Sequence, residues 1–306
     1  MRRGINKMTP LSGILVAMVT PLDDDQEISF KRTDLLLDRL LTEEIAGIFI
    51  LGTNGESYVL AEDEKLAFVE HVIDYVHGRT KVLVGTGLNG TAETIRFSQK
   101  VASLKPDAIT LVAPSFVAPS QQELVDHFAA IIHAVDIPVL LYNMPAKTGI
   151  NIEPASLKQL SKYENLIGIK DSSGKWENFD GYLANRPERP FSVIMGSDGR
   201  ILESFQHGGN AAIASTANLL TANNVALYQA FVNDNIEKAQ KFQDRIQPLR
   251  SVLHKATIPV SLKTALNIAG ITVGPARLPA KMPREQDALY QEIGDVIKEY
   301  ALQGII

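Results

Sequence analysis

The apolar run at 166–169 ends in Lys170. A lysine closing a buried strand aims its amine into the mouth of the sheet or barrel to which the strand belongs. Desolvation there disfavours an ammonium relative to a free amine, whose lone pair can attack a carbonyl. Tyr142 closes the preceding apolar run in the same way, which would set a phenol beside the amine as a carrier of protons. After the run at 47–51 comes Gly52-Thr53-Asn54-Gly55-Glu56. A glycine-flanked turn of this kind leaves backbone N–H groups exposed to hold a carboxylate. Taken singly, each feature has a plainer reading: a lysine snorkelling to solvent, a core tyrosine bonded to backbone, a tight turn. What they share is a place at the end of a strand.

Strand ends of this kind need strands with helices between them. Apolar, β-branched runs predict eight strands, at 13–19, 47–51, 81–85, 108–113, 138–143, 166–170, 191–196 and 211–215. The runs are continuous rather than alternating, as in strands buried on both faces. Amphipathic stretches at 32–44, 62–77, 91–104, 121–135 and 153–160 predict helices between them. Eight such strand–helix units fit one closed α/β barrel, the (β/α)8 TIM barrel, with an open doubly wound sheet as the competing architecture. After the eighth strand only helical patterns follow, at 225–233, 236–254, 261–269 and 285–302, and these predict a C-terminal helical extension. The expected division is an N-terminal tail at 1–10, a catalytic barrel at 11–234 and a C-terminal helical domain at 235–306. Catalytic groups of a barrel sit at the carboxyl ends of its strands. Gly52, Thr53, Asn54, Tyr142, Lys170, Ser172, Gly196, Asp198 and Ser215 all fall there.

Composition narrows the partners. The 306 residues are 45% apolar and 21% charged, with a net charge of −5. That supplies a large core and excludes a disordered or collagen-like chain. An acidic balance without a basic stripe argues against nucleic acid as a partner. No apolar run approaches the roughly 18–20 residues of a bilayer helix. The short apolar stretch after Met1-Arg2-Arg3 has no cleavage pattern, so a cytoplasmic protein is expected, without membrane contact. The chain has no cysteine, which excludes disulfides, thiolate metal sites and a cysteine nucleophile. Its histidines, at 71, 77, 127, 133, 207 and 254, show no metal-ligand spacing, so no metal is expected. Gly85-Thr86-Gly87-Leu88-Asn89-Gly90 spells a dinucleotide fingerprint, and Asp107 lies about 20 residues on. Asp107 precedes its strand instead of closing it, which removes the context that motif needs.

Three segments, Gly52-Thr53-Asn54-Gly55-Glu56, Tyr142-Asn143-Met144-Pro145 and Gly168-Ile169-Lys170-Asp171-Ser172-Ser173-Gly174, together resemble the dihydrodipicolinate synthase/N-acetylneuraminate lyase family. Gly208-Gly209 with Ala212-Ile213, and Gly274-Pro275-Ala276-Arg277-Leu278-Pro279, are similar to further landmarks of that family, so the resemblance spans nearly the whole chain. It implies a (β/α)8 barrel with a C-terminal helical domain, a homotetramer, and class I chemistry with no cofactor. Lys170 would form a Schiff base with pyruvate or another 2-oxo acid, and Tyr142 would shuttle protons. Gly52, Thr53 and Asn54 would hold the substrate carboxylate, Ile213 would present a backbone carbonyl to it, and Gly196 would line the pocket.

Two departures bear on the aldehyde partner. Where the synthase carries an aromatic pair whose tyrosine completes a Thr–Tyr–Tyr relay in a neighbouring subunit, this chain has Ser115-Phe116, and Phe116 has no hydroxyl. Lys147 stands where the synthase uses an arginine for the carboxylate of aspartate semialdehyde, and it lacks the bidentate fork. N-acetylneuraminate lyase has an acidic residue after the Gly-x-Asp that Gly196-Ser197-Asp198 resembles; here that residue is Gly199. Asp198, Ser172 and Ser215 remain for hydroxyl groups of a shorter acceptor. The expected activity is a lyase or aldolase that makes or cleaves a 2-keto-3-deoxy sugar acid or related 4-hydroxy-2-oxo acid. The alternatives are 4-hydroxy-tetrahydrodipicolinate synthase, N-acetylneuraminate lyase and a non-catalytic 2-oxo-acid sensor.

Overall fold

The structure is a computed structural model and describes residues 10–306. Its eight strands are β1 (Gly13–Ala17), β2 (Gly47–Ile50), β3 (Lys81–Gly85), β4 (Ala108–Val112), β5 (Val139–Asn143), β6 (Leu166–Asp171), β7 (Ser192–Met195) and β8 (Ala211–Ala214). Each pairs in parallel with its neighbour in sequence order, and β8 returns to β1 in the register Gly13↔Ala211 to Val16↔Ala214. That last ladder closes the barrel and disposes of the open sheet. Alternate residues face opposite ways, so each strand feeds two cores. Leu15, Phe49, Leu83, Leu140, Tyr142, Ile194 and Ile213 fill the barrel interior. Val16, Ile48, Val82, Val139 and Leu141 pack outward beneath the helices.

Those helices are α1 (Phe30–Leu40), α2 (Glu62–Val76), α3 (Thr91–Ser103), α4 (Gln121–His133), α5 (Pro145–Thr148), α6 (Pro154–Leu160), α7 (Trp176–Ala184), α8 (Ile201–Gln206) and α9 (Thr221–Val232). Local chemistry sets several of their starts. Ser120 and Glu123 form a reciprocal cap on α4, Ser29 accepts from the N–H of Arg32 at α1, and proline opens α5 and α6. No periodic pattern in the sequence announces α7 or α8. These are short, and α7 buries only Phe179 and Tyr182, too few for a visible stripe. Strand β1 ends two residues before its apolar run does, and Met18 and Val19 beyond it are buried all the same.

The chain ends in α10 (Ile236–Leu253), α11 (Val260–Ile268) and α12 (Ala288–Leu302). Helix α10 lies along α9 and reaches the single turn Asp198–Arg200 beyond β7. The step from 234 to 235 falls in the turn between α9 and α10. The expected tail at 1–10 lies, Pro10 apart, outside the described residues. At the amino end of the barrel Asp107 Oδ2 accepts from Val82 N at 2.8 Å, so its carboxylate closes a strand entry and faces no nucleotide site.

Candidate active site

Lys170 is the fifth residue of β6, in register with Tyr142 on β5 and Ile194 on β7. Its side chain is only 5% exposed, so it does not snorkel to solvent. Nζ stands 4.1 Å from the centroid of the Tyr142 ring and 5.2 Å from that of Phe49. The amine thus meets the phenol over its aromatic face. The Tyr142 hydroxyl points on to Thr53, with 3.3 Å between the two oxygens, and donates to Met144 Sδ at 2.8 Å.

Thr53 owes its place to a turn of strained backbone held from two sides. Leu51 and Glu56 both adopt left-handed φ, at +54° and +55°, conformations that persist only where the surroundings fix them. Thr20 Oγ1 donates to Gly55 O at 2.8 Å. Glu56 reaches a region more than 200 residues away: Oε2 lies 2.5 Å from Lys263 Nζ on α11, and Oε1 accepts from Arg277 N at 2.7 Å. Both members of that ion pair are 0–1% exposed, and Lys263 also donates to Pro275 O at 2.7 Å. Burial pulls the Lys263 ammonium below its ordinary pKa, while Glu56 pulls it back. Glu56 and Arg277 each sit in a family motif, but no sequence signal pairs Glu56 with Lys263.

The opposite wall comes from β6, β7 and β8. Asp198 accepts from Ser215 N at 3.0 Å and from Thr216 N at 3.3 Å, so both oxygens are taken by backbone. Burial pushes its carboxyl up to about 6, opposed by those N–H donors and by the charges of Lys170 and Arg250. Asn54 Nδ2 donates to Ala17 O at 3.1 Å and to Ser215 Oγ at 2.8 Å, joining this wall to the Thr53 turn. Gly196 is required by close approach. A Cβ there would stand 2.0 Å from Ser172 Oγ and 2.8 Å from Lys170 Cε. Asp171, buried beneath, is held by Asn143 and Ser173, and burial raises its pKa.

These walls enclose a cavity of about 180 Å³ that brings together Gly52, Thr53, Asn54, Tyr142, Lys170, Ser172, Gly196, Asp198 and Ser215. Two expected site residues are not among its lining. Ile213 belongs to the packed barrel interior. Lys147, exposed on α5, lines a neighbouring cavity of about 550 Å³ that shares Phe49, Gly52, Thr53 and Tyr142 with the first. Phe116 lines neither; it is 98% exposed with φ +77°. Arg250, His254 and Ile258, none of them an expected site residue, wall the Lys170 cavity from α10 and the segment after it. No motif marks them, since only the packing of α10 across the mouth brings them there. Among the described residues no three His, Cys, Asp or Glu side chains cluster as metal ligands would.

A closed barrel of eight parallel strands, with a buried amine, a phenol and a Thr-bearing turn converging at its carboxyl end, is the architecture of a (β/α)8-barrel enzyme. Residues 10–299 match the profile of the Dihydrodipicolinate synthetase family. A 4-hydroxy-tetrahydrodipicolinate synthase of Listeria monocytogenes is 37% identical over 271 residues, 88% of this chain and 92% of the relative. One from a Thermoanaerobacter species is 32% identical over 96% of this chain and 98% of its own. The crystal structure of a dihydrodipicolinate synthase from Bacillus anthracis superposes with a TM-score of 0.91 at 31% identity, covering 95% of this chain and 99% of that one. The chain belongs to the dihydrodipicolinate synthetase family, and with it to the pyruvate-dependent class I carbon–carbon lyases.

Proposed function

We propose that Lys170 condenses with the keto group of pyruvate, losing water to form an imine. The methyl group then gives up a proton, and the resulting enamine carbon bonds to the carbonyl carbon of an aldehyde, whose oxygen takes up a proton. Water hydrolyses the imine, releasing a 4-hydroxy-2-oxo acid and the free lysine; the reverse sequence cleaves such an acid. Thr53, Asn54 and Gly52 hold the pyruvate carboxylate through turn N–H groups, and the Tyr142–Thr53 hydroxyl pair moves the protons. The observation that carries this reading is the enclosed Lys170 amine, 4.1 Å above the Tyr142 ring and in one cavity with the Thr53 turn.

For the product we propose a 2-keto-3-deoxy sugar acid or related 4-hydroxy-2-oxo acid, supported by Ser172 and Ser215 on the acceptor wall. A second reading, condensation of pyruvate with aspartate semialdehyde, is favoured by the name that the relatives share. Phe116 has no hydroxyl to offer a neighbouring subunit, and Lys147 stands outside the Lys170 cavity, which supports the first. Pyruvate release from a panel of 2-keto-3-deoxy acids, run beside condensation with aspartate semialdehyde, separates the two. Cleavage of a 4-hydroxy-2-oxo acid with weak condensation is expected; the opposite ratio would establish the second reading. Tyr142→Phe is expected to lower turnover in either assay by about 10²–10⁴, and unchanged turnover would remove the phenol from the mechanism. A homotetramer, carried by the family resemblance, and a cytoplasmic location belong to the same proposal. No helix among the described residues is long and apolar enough to cross a membrane.

A further inference from the structure

Resting on the reading of Tyr142 as the carrier of protons, we infer that Met144 is a modification site. Its thioether holds the phenol hydrogen, and oxidation of that sulfur by a peroxide switches the carrier off. The Tyr142 hydroxyl donates to Met144 Sδ at 2.8 Å and lies 3.3 Å from Thr53 Oγ1. A thioether accepts and never donates, and a phenol has one hydrogen. With that hydrogen on sulfur, the Thr53 hydroxyl is the donor of the second bond, so the pair has one direction, from Thr53 through Tyr142 to Met144. Three local features place the sulfur. Met144 follows Tyr142 by two residues, so both side chains turn to the barrel interior, where Met144 packs against the core. Pro145 keeps Met144 out of the helical region, at φ −140°. The Met144 carbonyl accepts from Lys147 N at 2.9 Å and from Thr148 N at 3.1 Å, in the first turn of α5.

Sulfur is a weak acceptor, so the hydrogen it holds is readily released to a reacting group. Hydrogen peroxide changes this by transferring one oxygen atom to Sδ and leaving as water. The sulfur is oxidised by two electrons, the peroxide is reduced by two, and the product is methionine sulfoxide. Its oxygen is a far stronger acceptor than the thioether, and it retains the phenol hydrogen that the reaction needs. Access favours this position. Met144 is half-buried and lines the Lys170 cavity, whereas Met18 and Met195 are 1% and 4% exposed. The chain has no cysteine, so no thiolate consumes the oxidant first. Met282, also half-buried, accepts from Ala276 N at 3.4 Å outside that cavity and serves as the control.

The test treats the enzyme with hydrogen peroxide, destroys the excess with catalase, and then adds pyruvate in heavy water. Proton NMR follows the exchange of the pyruvate methyl hydrogens, a readout of proton transfer that needs no aldehyde. Peptide mass mapping gives the fraction of sulfoxide at each methionine, and borohydride trapping reads the imine on every sample. Exchange by the wild type should fall by about 10- to 100-fold as Met144 is converted, within the range a general acid–base group contributes. Methionine sulfoxide reductases of both epimer specificities should restore it. Met144→Leu should start below the wild type and lose no more than about twofold on treatment, and so should Tyr142→Phe, which has no hydroxyl for the sulfoxide to hold. Met282→Leu should be as sensitive as the wild type. Full exchange by enzyme oxidised at Met144 overturns the inference. So does a Met144 that stays unoxidised, protection by Met282→Leu, or a Tyr142→Phe enzyme that loses as much as the wild type. Untreated Tyr142→Phe exchanging at the wild-type rate overturns the reading of Tyr142 itself, and absence of trapping in the untreated wild type overturns the Schiff base.

Discussion

Burial and polar neighbours act on Asp198 in opposite directions. Enclosure disfavours its charge, and two backbone N–H groups with the Lys170 and Arg250 cations favour it. Burial wins, and the carboxyl rises from the ordinary 3.8 to about 6. The folded chain then holds that proton more tightly than the unfolded one, so the contribution to stability is complete below about pH 4 and is lost as pH rises through about 6. Asp198→Asn should remove this slope. Compared by thermal unfolding at pH 4 and pH 7, the variant is expected to gain on the wild type as pH rises; a difference independent of pH would contradict the assignment. Lys170, Tyr142 and Thr53 were legible in the sequence because each sits at a strand end inside a recurring motif. Arg250 was not, because it is an unremarkable position on a helix until that helix is laid across the barrel mouth. Lys147, by contrast, stands two residues after the Tyr142-Asn143-Met144-Pro145 motif and lines the adjoining cavity.

Elements position these side chains in two ways. The strands do so through register, which sets Tyr142 opposite Lys170, and continuous apolar runs made that register readable. The C-terminal helices do so through tertiary contacts that no local pattern announces. Helix α11 delivers Lys263 to Glu56 beneath the Thr53 turn, and α10 delivers Arg250. Removing one member of a buried ion pair leaves an uncompensated charge and costs about 3–5 kcal/mol, whereas replacing both members with neutral groups costs far less. Lys263→Met should therefore destabilise the protein by about that amount in denaturant unfolding. Adding Glu56→Gln should recover more than half of it, since glutamine still accepts from Arg277. A single variant within about 0.5 kcal/mol of wild type would show that the pair does not anchor the turn. The short helices α7 and α8 stayed unread for a related reason: six to nine residues bury too few side chains for a period to emerge.

The whole molecule is acidic, at −5, yet the mouth of its barrel is cationic. Lys170 and Arg250 line one cavity, and Lys65 and Lys147 line the next. Such a field concentrates small anions at the strand ends against the overall charge. Eight consecutive strand–helix units made a closed barrel the expected architecture over an open sheet; assembly was not legible. Phe116 and Val117, 98% and 72% exposed side by side, form apolar surface of the kind an interface covers. A homotetramer predicts a light-scattering mass four times the chain's 33.5 kDa, and a mass near that of one chain would refute it. The central claim is that one buried amine bonds covalently to a keto acid, and reductive trapping tests it most directly. Incubation with pyruvate and borohydride, followed by peptide mass mapping, should place a reduced pyruvyl adduct on Lys170 and none in Lys170→Ala. Pyruvate that binds but leaves Lys170 unmodified after reduction would contradict it.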